Sequence, residues 1–286
     1  MPNAAYDLEM PANRTSCVVF SSPHSGRDYP MQMLQQSVLN RHLIRSSEDA
    51  YVDRLFDTAP GLGVPLIKAK MPRAYLDLNR SADELDPALI DGIRRRGHNP
   101  RVTSGLGVIP RVVANGRAIY RGKLTIDEAR HRIDTYWHPY HARLKSLLAE
   151  SHKMFGQAIL IDCHSMPHEA VAAAGTTRSG RPEIVLGDRF GASASGEIVD
   201  QIETAFAAAG LSVVRNAPFA GAYVTQTYGR PGRRQHAVQI EIDRSLYMDE
   251  QKILPGTNFD AFRQTLRQVI SDIARIGPEA VPLAAE

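Results

Sequence analysis

The sequence has few of the features that build disulfide scaffolds or membrane spans. Only two cysteines occur in 286 residues, Cys17 and Cys163, and both lie in apolar runs where a thiol acts as a small hydrophobe, so no disulfide framework is expected. No apolar run approaches the roughly 20 residues that a transmembrane helix needs, and the N-terminus lacks the basic and apolar regions of a signal peptide. The sequence therefore predicts a cytoplasmic protein that does not contact a membrane.

Strong charge and common catalytic signatures are missing as well. The 34 basic and 31 acidic residues leave a net charge of only +3, and no long basic face accompanies it, so a nucleic-acid partner is not expected. The chain contains no GxSxG elbow, HExxH pair or CxxC pair, and the glycines of residues 116–122 do not match a phosphate-binding loop. Among the catalytic schemes considered, metal-assisted hydrolysis fits the remaining residues best.

Alternating strand and helix patterns predict the fold class. Residues 17–20 and 158–161 are apolar at consecutive positions, which is typical of strands that are covered on both faces. Further strand candidates are 64–68, 183–186, 211–215 and 237–242. Amphipathic helix patterns cover 52–59, 126–148, 198–209 and 262–273. This alternation predicts an α/β fold, which we expect to form a single domain over residues 1–286.

Local signals refine two regions of this picture. Thr125 and Glu128 have the spacing of a capping box, so a helix should begin after Thr125, and Pro139 should kink it near His138. Residues 94–123 begin with three arginines and contain five glycines, which predicts a long loop or flap. The tail after Pro278 is expected to be frayed.

Two histidines directly follow predicted buried strands. His24 follows the first strand within Ser-Ser-Pro-His-Ser-Gly, and His164 follows the central strand within Asp-Cys-His-Ser. In an open α/β sheet, ligands bind outside the carboxyl ends of the strands. Neutral imidazole is the commonest zinc ligand, and a catalytic zinc site needs about three protein ligands. The placement favours a metal site, although each histidine taken alone also fits a structural or surface role.

Acidic residues offer a third ligand and a general base. Glu48 and Asp49 stand where the first predicted amphipathic helix opens, a position that suits carboxylates whether or not they bind metal. Gln239, Glu241 and Asp243 alternate with isoleucines and therefore share one face of a strand. A carboxylate there can deprotonate water and then protonate a leaving amine. The alternative is a half-exposed strand with a solvated polar face.

Three arginines and one further histidine complete the candidates. Arg73 and Arg80 lie in one short segment and Arg244 follows the Glu241 strand, and a guanidinium binds a carboxylate bidentately. Each arginine alone also fits a surface ion pair. His141 lies in Trp-His-Pro-Tyr-His and is a candidate for proton transfer or for orienting another group, whereas Trp137 and Tyr140 are expected in the core.

An ordered set of motifs resembles one enzyme family, that of the N-formylglutamate amidohydrolases. The motifs are SSPHSGRDYP, SSEDAYVDRLFD, PRAYLDLNR, YWHPYHARL, LIDCHSMP and YGRPGRRQHAVQIEIDRSLYMDE, and the match covers most of residues 17–250. The resemblance implies the broader zinc carboxypeptidase-like architecture, in which a mixed, mostly parallel sheet is flanked by helices. It also places the metal at the ends of strands.

The resemblance also implies roles for particular residues. It makes His24, His164 and one acidic residue the ligands of zinc or another divalent metal, and Glu241 the catalytic carboxylate. Asp49 is favoured because residues 49–54 match the family frame apart from Ala50, which replaces an aromatic residue; Glu48 is the alternative.

For substrate binding, the resemblance implies that Arg80 and Arg244 anchor substrate carboxylates, with Arg73 as a further candidate. The implied reaction is hydrolysis of N-formyl-L-glutamate to formate and L-glutamate. Two alternatives stay open: a metal amidase for another N-acyl amino acid or small peptide, and a non-catalytic module that binds an anionic partner.

Overall fold

The computed structural model describes residues 5–94, 99–173 and 181–278. Residue contacts divide the chain into two compact units. The first consists of Met1–Asp7, Pro23–Ala50 and Lys68–Arg143, and the second of Leu8–Ser22, Tyr51–Ile67 and Leu144–Glu286. The single domain predicted over residues 1–286 stays a prediction. No helix in the described part of the chain is both long and apolar enough to span a bilayer.

The strands form one large sheet and one small one. In chain order they are β1 (Tyr6–Glu9), β2 (Val18–Ser22), β3 (Leu66–Ala69), β4 (Ala158–Met166), β5 (Ile184–Gly187), β6 (Val213–Arg215), β7 (Gln235–Asp243), β8 (Met248–Asp249) and β9 (Leu254–Pro255). Seven of them make a sheet in the order β1-β3-β2-β4-β7-β5-β6, and β8 pairs with β9.

The large sheet is mixed and mostly parallel, as predicted. β4 runs parallel to β2 on one side and to β7 on the other. β5 is antiparallel to β7 and parallel to β6. The carboxyl ends of β2, β4 and β7 therefore lie at one edge of the sheet, where open α/β sheets bind ligands.

The central strand β4 is longer than its apolar run. The sequence predicts a strand over 158–161, and the structure extends it to Met166 with every residue buried. The consecutive apolar residues explain burial on both faces of the first half. The second half carries Asp162 and His164, so polar side chains are also buried at the carboxyl end of the sheet.

The α-helices are α1 (Met31–Gln36), α2 (Val52–Leu55), α3 (Pro100–Thr103), α4 (Ile126–Arg132), α5 (His138–Phe155), α6 (His168–Ala173), α7 (Gly196–Ala208), α8 (Tyr223–Tyr228) and α9 (Phe259–Ala274). Short 3-10 helices cover Leu43–Ser47, Pro60–Leu62, Ala114–Gly116, Pro231–Arg233 and Arg244–Leu246. Helices α7 and α9 match the predicted patterns over 198–209 and 262–273.

The predicted helix over 52–59 is shorter than expected, and the acidic pair does not open it. Helix α2 covers only Val52–Leu55, and its N-cap residue Tyr51 has a left-handed backbone with φ of 67°. Glu48 is instead the C-cap of the preceding 3-10 helix. The placement of Glu48 and Asp49 at a helix N-terminus was therefore wrong, because the chain turns at Tyr51 before the helix begins.

The long helical segment contains a π-helical turn where a proline kink was predicted. As predicted, the Thr125 side chain caps α4 and accepts a hydrogen bond from the Glu128 amide. Ile133–Trp137 then forms a π-helical turn before α5, and the His138 amide donates to the Ile133 carbonyl, five residues earlier. This break in the ladder falls just before Pro139, which has no amide proton to donate.

The predicted loop over 94–123 has local structure where it is described. Helix α3 lies within it, and Ile109 and Ile119 are fully buried. Tyr120 forms an isolated antiparallel β-bridge with Ser37. Residues 95–98, and the predicted frayed tail over 279–286, lie outside the described residues. That the loop covers a site stays a prediction.

Candidate active site

Four polar side chains share one face at the carboxyl ends of β4 and β7. Asp162 pairs in register with Gln239, and His164 pairs with Glu241. Side chains of paired residues on adjacent strands project to the same face, and residues two apart on one strand do so as well. We call Asp162, His164, Gln239 and Glu241 the strand-borne group.

Hydrogen bonds along each strand orient this group. The His164 Nε2 lies 2.8 Å from Asp162 Oδ2, and Gln239 Nε2 donates to Glu241 Oε1 at 2.9 Å. All four residues are at most 8% exposed. The half-exposed strand considered for 237–242 is therefore wrong: the alternation of polar residues there marks a buried polar face and not a solvated one.

A second cluster lies in loops of the other compact unit. His24 Nε2 lies 2.7 Å from Asp77 Oδ1, and His24 Nδ1 lies 3.3 Å from Asp49 Oδ2. Arg73 Nη2 donates to Asp77 Oδ2 at 3.0 Å, and its Nη1 lies 3.9 Å from Asp49 Oδ1. We call His24, Asp49, Arg73 and Asp77 the loop-borne group.

Close backbone packing holds this loop in place. A side chain at Gly26 would put its Cβ 2.2 Å from the Met71 carbonyl oxygen, so only glycine fits there without a backbone shift. The Asp28 amide donates to the Lys70 carbonyl, and the Asp49 amide donates to the His24 carbonyl. The loop that carries His24 is thus tied both to Asp49 and to the chain that leads into Arg73 and Asp77.

Asp77 is held as a carboxylate inside the protein. Burial alone would raise its pKa, but the neighbouring charges of His24, Arg73 and Arg80 hold the pKa of Asp77 well below its usual range. The ionised carboxylate accepts from His24 at Nε2 and from the Asn79 amide. Asp77 therefore fixes the orientation of the His24 ring.

His24, Asp49 and His164 form a buried group that can bind a metal ion. Each offers one ligand atom, and these atoms all lie within 4.8 Å of one another. Two imidazoles and one carboxylate are a known ligand set of catalytic zinc. In both rings a carboxylate engages Nε2, which is how proteins orient metal-binding histidines. The donor chemistry and the supporting carboxylates fit a divalent metal.

Asp77 and Asp162 were not assigned as supporting carboxylates from the sequence. Asp162 stands two residues before His164 on one strand, a spacing that puts both side chains on the same face. That signal was available in the sequence. Asp77 lies 53 residues from His24, and no local pattern links the two.

The two acidic candidates have different partners. Glu48 pairs with Arg45, whose Nε donates at 3.0 Å, and accepts from the Tyr29 hydroxyl at 2.7 Å. Asp49, and not Glu48, belongs to the group with His24 and His164. The geometry thus favours Asp49 as the acidic ligand.

The three arginine candidates all make contacts with protein groups. Arg73 belongs to the loop-borne group, as described above. Arg80 donates from Nε to the Leu106 carbonyl at 3.1 Å, and burial lowers its pKa. Arg244 is buried and donates from Nε to the Ser165 hydroxyl at 3.2 Å, beside His164. Their roles toward a substrate stay predictions.

His141 is a buried, neutral histidine. Its Nε2 lies 2.9 Å from the Leu78 carbonyl oxygen, so Nε2 carries the proton and donates. Burial lowers the pKa of His141 to about 4, which keeps the ring uncharged near neutral pH. Its predicted role in proton transfer stays a prediction.

The fold and the two groups define the class of the protein. Buried imidazoles and carboxylates lie at the carboxyl ends of a mixed α/β sheet, and hydrolases use such side chains to hold a metal or to move protons. The sequence model of the N-formylglutamate amidohydrolase family matches residues 16–248 of this chain. The chain belongs to this family and is an amidohydrolase.

Individual relatives agree with this assignment. The chain is 29% identical to the N-formylglutamate deformylase of Pseudomonas aeruginosa over 272 residues, which cover 92% of this chain and 94% of the relative. A Pseudomonas putida protein of the same name is 29% identical over 241 residues, which cover 82% of each chain.

A solved structure also resembles the chain over nearly its whole length. The crystal structure of N-formylglutamate amidohydrolase from Ralstonia eutropha JMP134 superposes with a TM-score of 0.88 at 33% identity. The match covers 95% of this chain and 97% of that one. It supports the same sheet architecture and the same family.

Proposed function

We propose that the protein hydrolyses the formyl amide bond of N-formyl-L-glutamate and releases formate and L-glutamate with the help of a divalent metal, zinc by preference. The observation that carries the metal dependence is the buried group of His24, Asp49 and His164, whose ligand atoms lie within 4.8 Å of one another. The substrate follows from the names of the relatives, two of which are N-formylglutamate deformylases.

In this proposal, His24 and His164 bind the metal through Nδ1, because Nε2 of each ring is engaged by a carboxylate. Asp49 supplies the third ligand. Asp77 and Asp162 keep both rings in the binding orientation. When bound, the metal would polarise the formyl carbonyl and lower the pKa of the attacking water.

Glu241 carries the proton in the proposed reaction. It lies opposite His164 in the sheet, and Gln239 holds one of its carboxylate oxygens at 2.9 Å. Glu241 accepts a proton from the water molecule while the oxygen of that water bonds to the formyl carbon. It then returns the proton to the nitrogen as the carbon–nitrogen bond breaks, which yields formate and the free amine.

Arginines select the substrate in the proposed function. Arg244 lies beside Ser165, next to the metal ligand His164, and a guanidinium there suits one substrate carboxylate. Arg80 is the candidate for a second carboxylate. Arg73 is already paired with Asp77 and close to Asp49, so its charge also balances the acidic side chains around His24.

Elemental analysis combined with a formate-release assay tests metal and substrate together. We expect about one zinc per chain, and faster formate release from N-formyl-L-glutamate than from N-formyl-L-glutamine or N-formyl-L-leucine. His164→Ala should lose both the zinc and the turnover. His152→Ala, an exposed histidine on α5 in the same compact unit, is the matched control and should keep both.

Two outcomes would contradict the proposal at different points. Full activity with stoichiometric zinc in His164→Ala would show that the ligand assignment is wrong. Equal rates on N-formyl-L-glutamate and N-formyl-L-leucine would leave an amidohydrolase but remove the substrate assignment.

A further inference from the structure

Three side chains of one helical segment donate hydrogen bonds to three carbonyls of the 75–80 segment. Arg132 Nη1 donates to the Tyr75 carbonyl at 3.1 Å. His141 Nε2 donates to the Leu78 carbonyl, and Trp137 Nε1 donates to the Arg80 carbonyl, both at 2.9 Å. All of these residues lie in the first compact unit.

The π-helical turn brings the three donors onto one side of the helix. Arg132 and Trp137 are five residues apart, and at about 3.6 residues per turn an uninterrupted α-helix would point them in clearly different directions. The π-helical turn Ile133–Trp137 adds one residue to that turn, so the two side chains face the same segment. His141 then follows Trp137 by one ordinary α-helical turn.

The donors are themselves held by their neighbours. Arg132 is fully buried, lies 4.0 Å over the ring of Tyr75 and also donates to the Tyr120 hydroxyl at 2.8 Å. The rings of Trp137 and His141 pack with centroids 4.0 Å apart. Side chains with so little freedom can fix the backbone to which they donate.

The backbone that they hold carries two groups of the candidate site. Asp77 contacts His24 at 2.7 Å, and its own amide donates to the Val108 carbonyl at 2.7 Å. Arg80 follows three residues later. The carbonyls that accept from the helix therefore flank Asp77 on both sides and end at Arg80, so a shift of this segment would move both side chains.

We propose that Arg132, Trp137 and His141 form a clamp that positions Asp77 against His24 and sets the place of Arg80. They are positioning residues, because they act through the 75–80 segment. The hydrogen bonds described above run to this backbone, and His141 Nε2 is committed to the Leu78 carbonyl. This inference rests on the proposed function, since the positions it protects are those of a metal-supporting carboxylate and a substrate arginine.

Matched substitutions at two helix positions test the clamp. His141→Leu removes a donor, and His141→Gln keeps an amide donor in nearly the same place. Trp137→Phe keeps an aromatic ring but removes the indole N–H. His131→Leu, at an exposed position of α4 whose side chain contacts Thr135, is the control. For each variant we would measure zinc affinity by chelator competition, KM and kcat, melting temperature, and amide exchange in the metal-free protein.

Loss of either donor should weaken zinc binding about tenfold, the lower end of what supporting residues around a metal contribute, and should raise KM more than it lowers kcat. Amide exchange of residues 75–80 should speed up, while that of β4 should not. His141→Gln should restore zinc affinity to within about twofold of the original protein, as one retained donor allows. The control His131→Leu should change none of these quantities.

The clamp fails if His141→Leu and Trp137→Phe lower the melting temperature but keep the original zinc affinity, KM and exchange of residues 75–80. That result would leave the proposed function intact. If the unsubstituted protein binds no zinc and releases no formate, the proposed function fails, and amide exchange of the metal-free variants still reports separately whether the helix holds the segment.

Discussion

The strand-borne and loop-borne groups each hold a histidine ring in a fixed orientation, but they do so in different ways. Each contains a histidine whose Nε2 is engaged by a carboxylate, at 2.8 Å for His164 with Asp162 and at 2.7 Å for His24 with Asp77. The first pair is two residues apart on one strand of a central ladder. The second pair is 53 residues apart, on two loops.

The two groups therefore differ in how their side chains are placed, by local strand geometry in one and by contacts between distant segments in the other. In the strand-borne group, strand geometry and the pairing of β4 with β7 place the side chains without further help. In the loop-borne group, the placement depends on Gly26 against Met71 and on the hydrogen bonds to the 75–80 segment. We therefore expect the loop-borne group to be the more sensitive one to remote substitutions.

The largest expected effect comes from the strand-borne group, where we place the chemical step. Glu241→Gln keeps the shape of the side chain and removes the base, so kcat should fall by about 10²-fold to 10⁴-fold. Zinc content should stay the same, because Glu241 is not among the ligands. Steady-state kinetics with elemental analysis would measure both, and Glu197→Gln, an exposed residue of α7, serves as the control. A normal kcat in Glu241→Gln would show that Glu241 is not the base and that the chemical step does not depend on this group.

Removing the two supporting carboxylates compares the groups directly. Asp77→Asn and Asp162→Asn should each weaken zinc binding by about 10-fold to 100-fold. Asp77→Asn should also lower the melting temperature of the metal-free protein more, because Asp77 accepts from the charged Arg73 guanidinium and from the Asn79 amide, whereas Asp162 accepts from the neutral Ser21 hydroxyl. Chelator competition and thermal melts would test this. Equal losses of melting temperature in both variants would mean that the loop-borne group is no more fragile than the strand-borne one.

The smallest expected effect is on the free energy of unfolding at acidic pH, through His141, which holds the segment that carries Asp77. Burial lowers the pKa of His141 from 6.5 to about 4, so the unfolded chain takes up this proton before the folded chain does. His141 therefore stabilises the fold less as the pH falls from about 6.5 toward 4, and the loss between about pH 6.5 and 5.5 should be about 1 kcal/mol.

Denaturant unfolding of the original protein and of His141→Gln would isolate this contribution. The free energy of unfolding should fall about 1 kcal/mol further in the original protein over that pH interval, because glutamine does not titrate. Parallel pH profiles for the two proteins would show that His141 is not held neutral in the fold.

The fold could be predicted from the sequence to the extent that its signals are local. Consecutive apolar residues predicted the central strand β4, and helical spacing predicted α7 and α9. The extension of β4 to Met166 could not be seen, because its second half carries polar residues whose burial depends on the neighbouring strands. The left-handed backbone at Tyr51 had no signal in the sequence, and Pro139 predicted a kink but not the π-helical turn that precedes it.

The candidate site divides along the same line. Placement after strands singled out His24 and His164. Alternation pointed to Gln239, Glu241 and Asp243 together, and only the resemblance to the family chose Glu241 among them. The choice between Glu48 and Asp49 depended on side-chain partners that the sequence did not reveal: Arg45 and Tyr29 engage Glu48, whereas Asp49 lies with His24 and His164. Contacts between distant positions, such as Asp77 with His24, leave no pattern in a single sequence.

The π-helical turn also bears on how this protein can be engineered. An interrupted helix gives up regular hydrogen bonds, so deleting one residue within Ile133–Trp137 to restore an α-helix would be an obvious route to a more heat-resistant protein. Such a deletion would leave Arg132 and Trp137 four residues apart, only about 40° from each other around the axis of a regular α-helix, so the later side chains would keep their directions. A change that straightened the segment without a deletion would instead rotate Trp137 and His141 by about 100° relative to Arg132 and turn them away from the carbonyls to which they donate. The extra residue is therefore what a redesign of this helix has to remove.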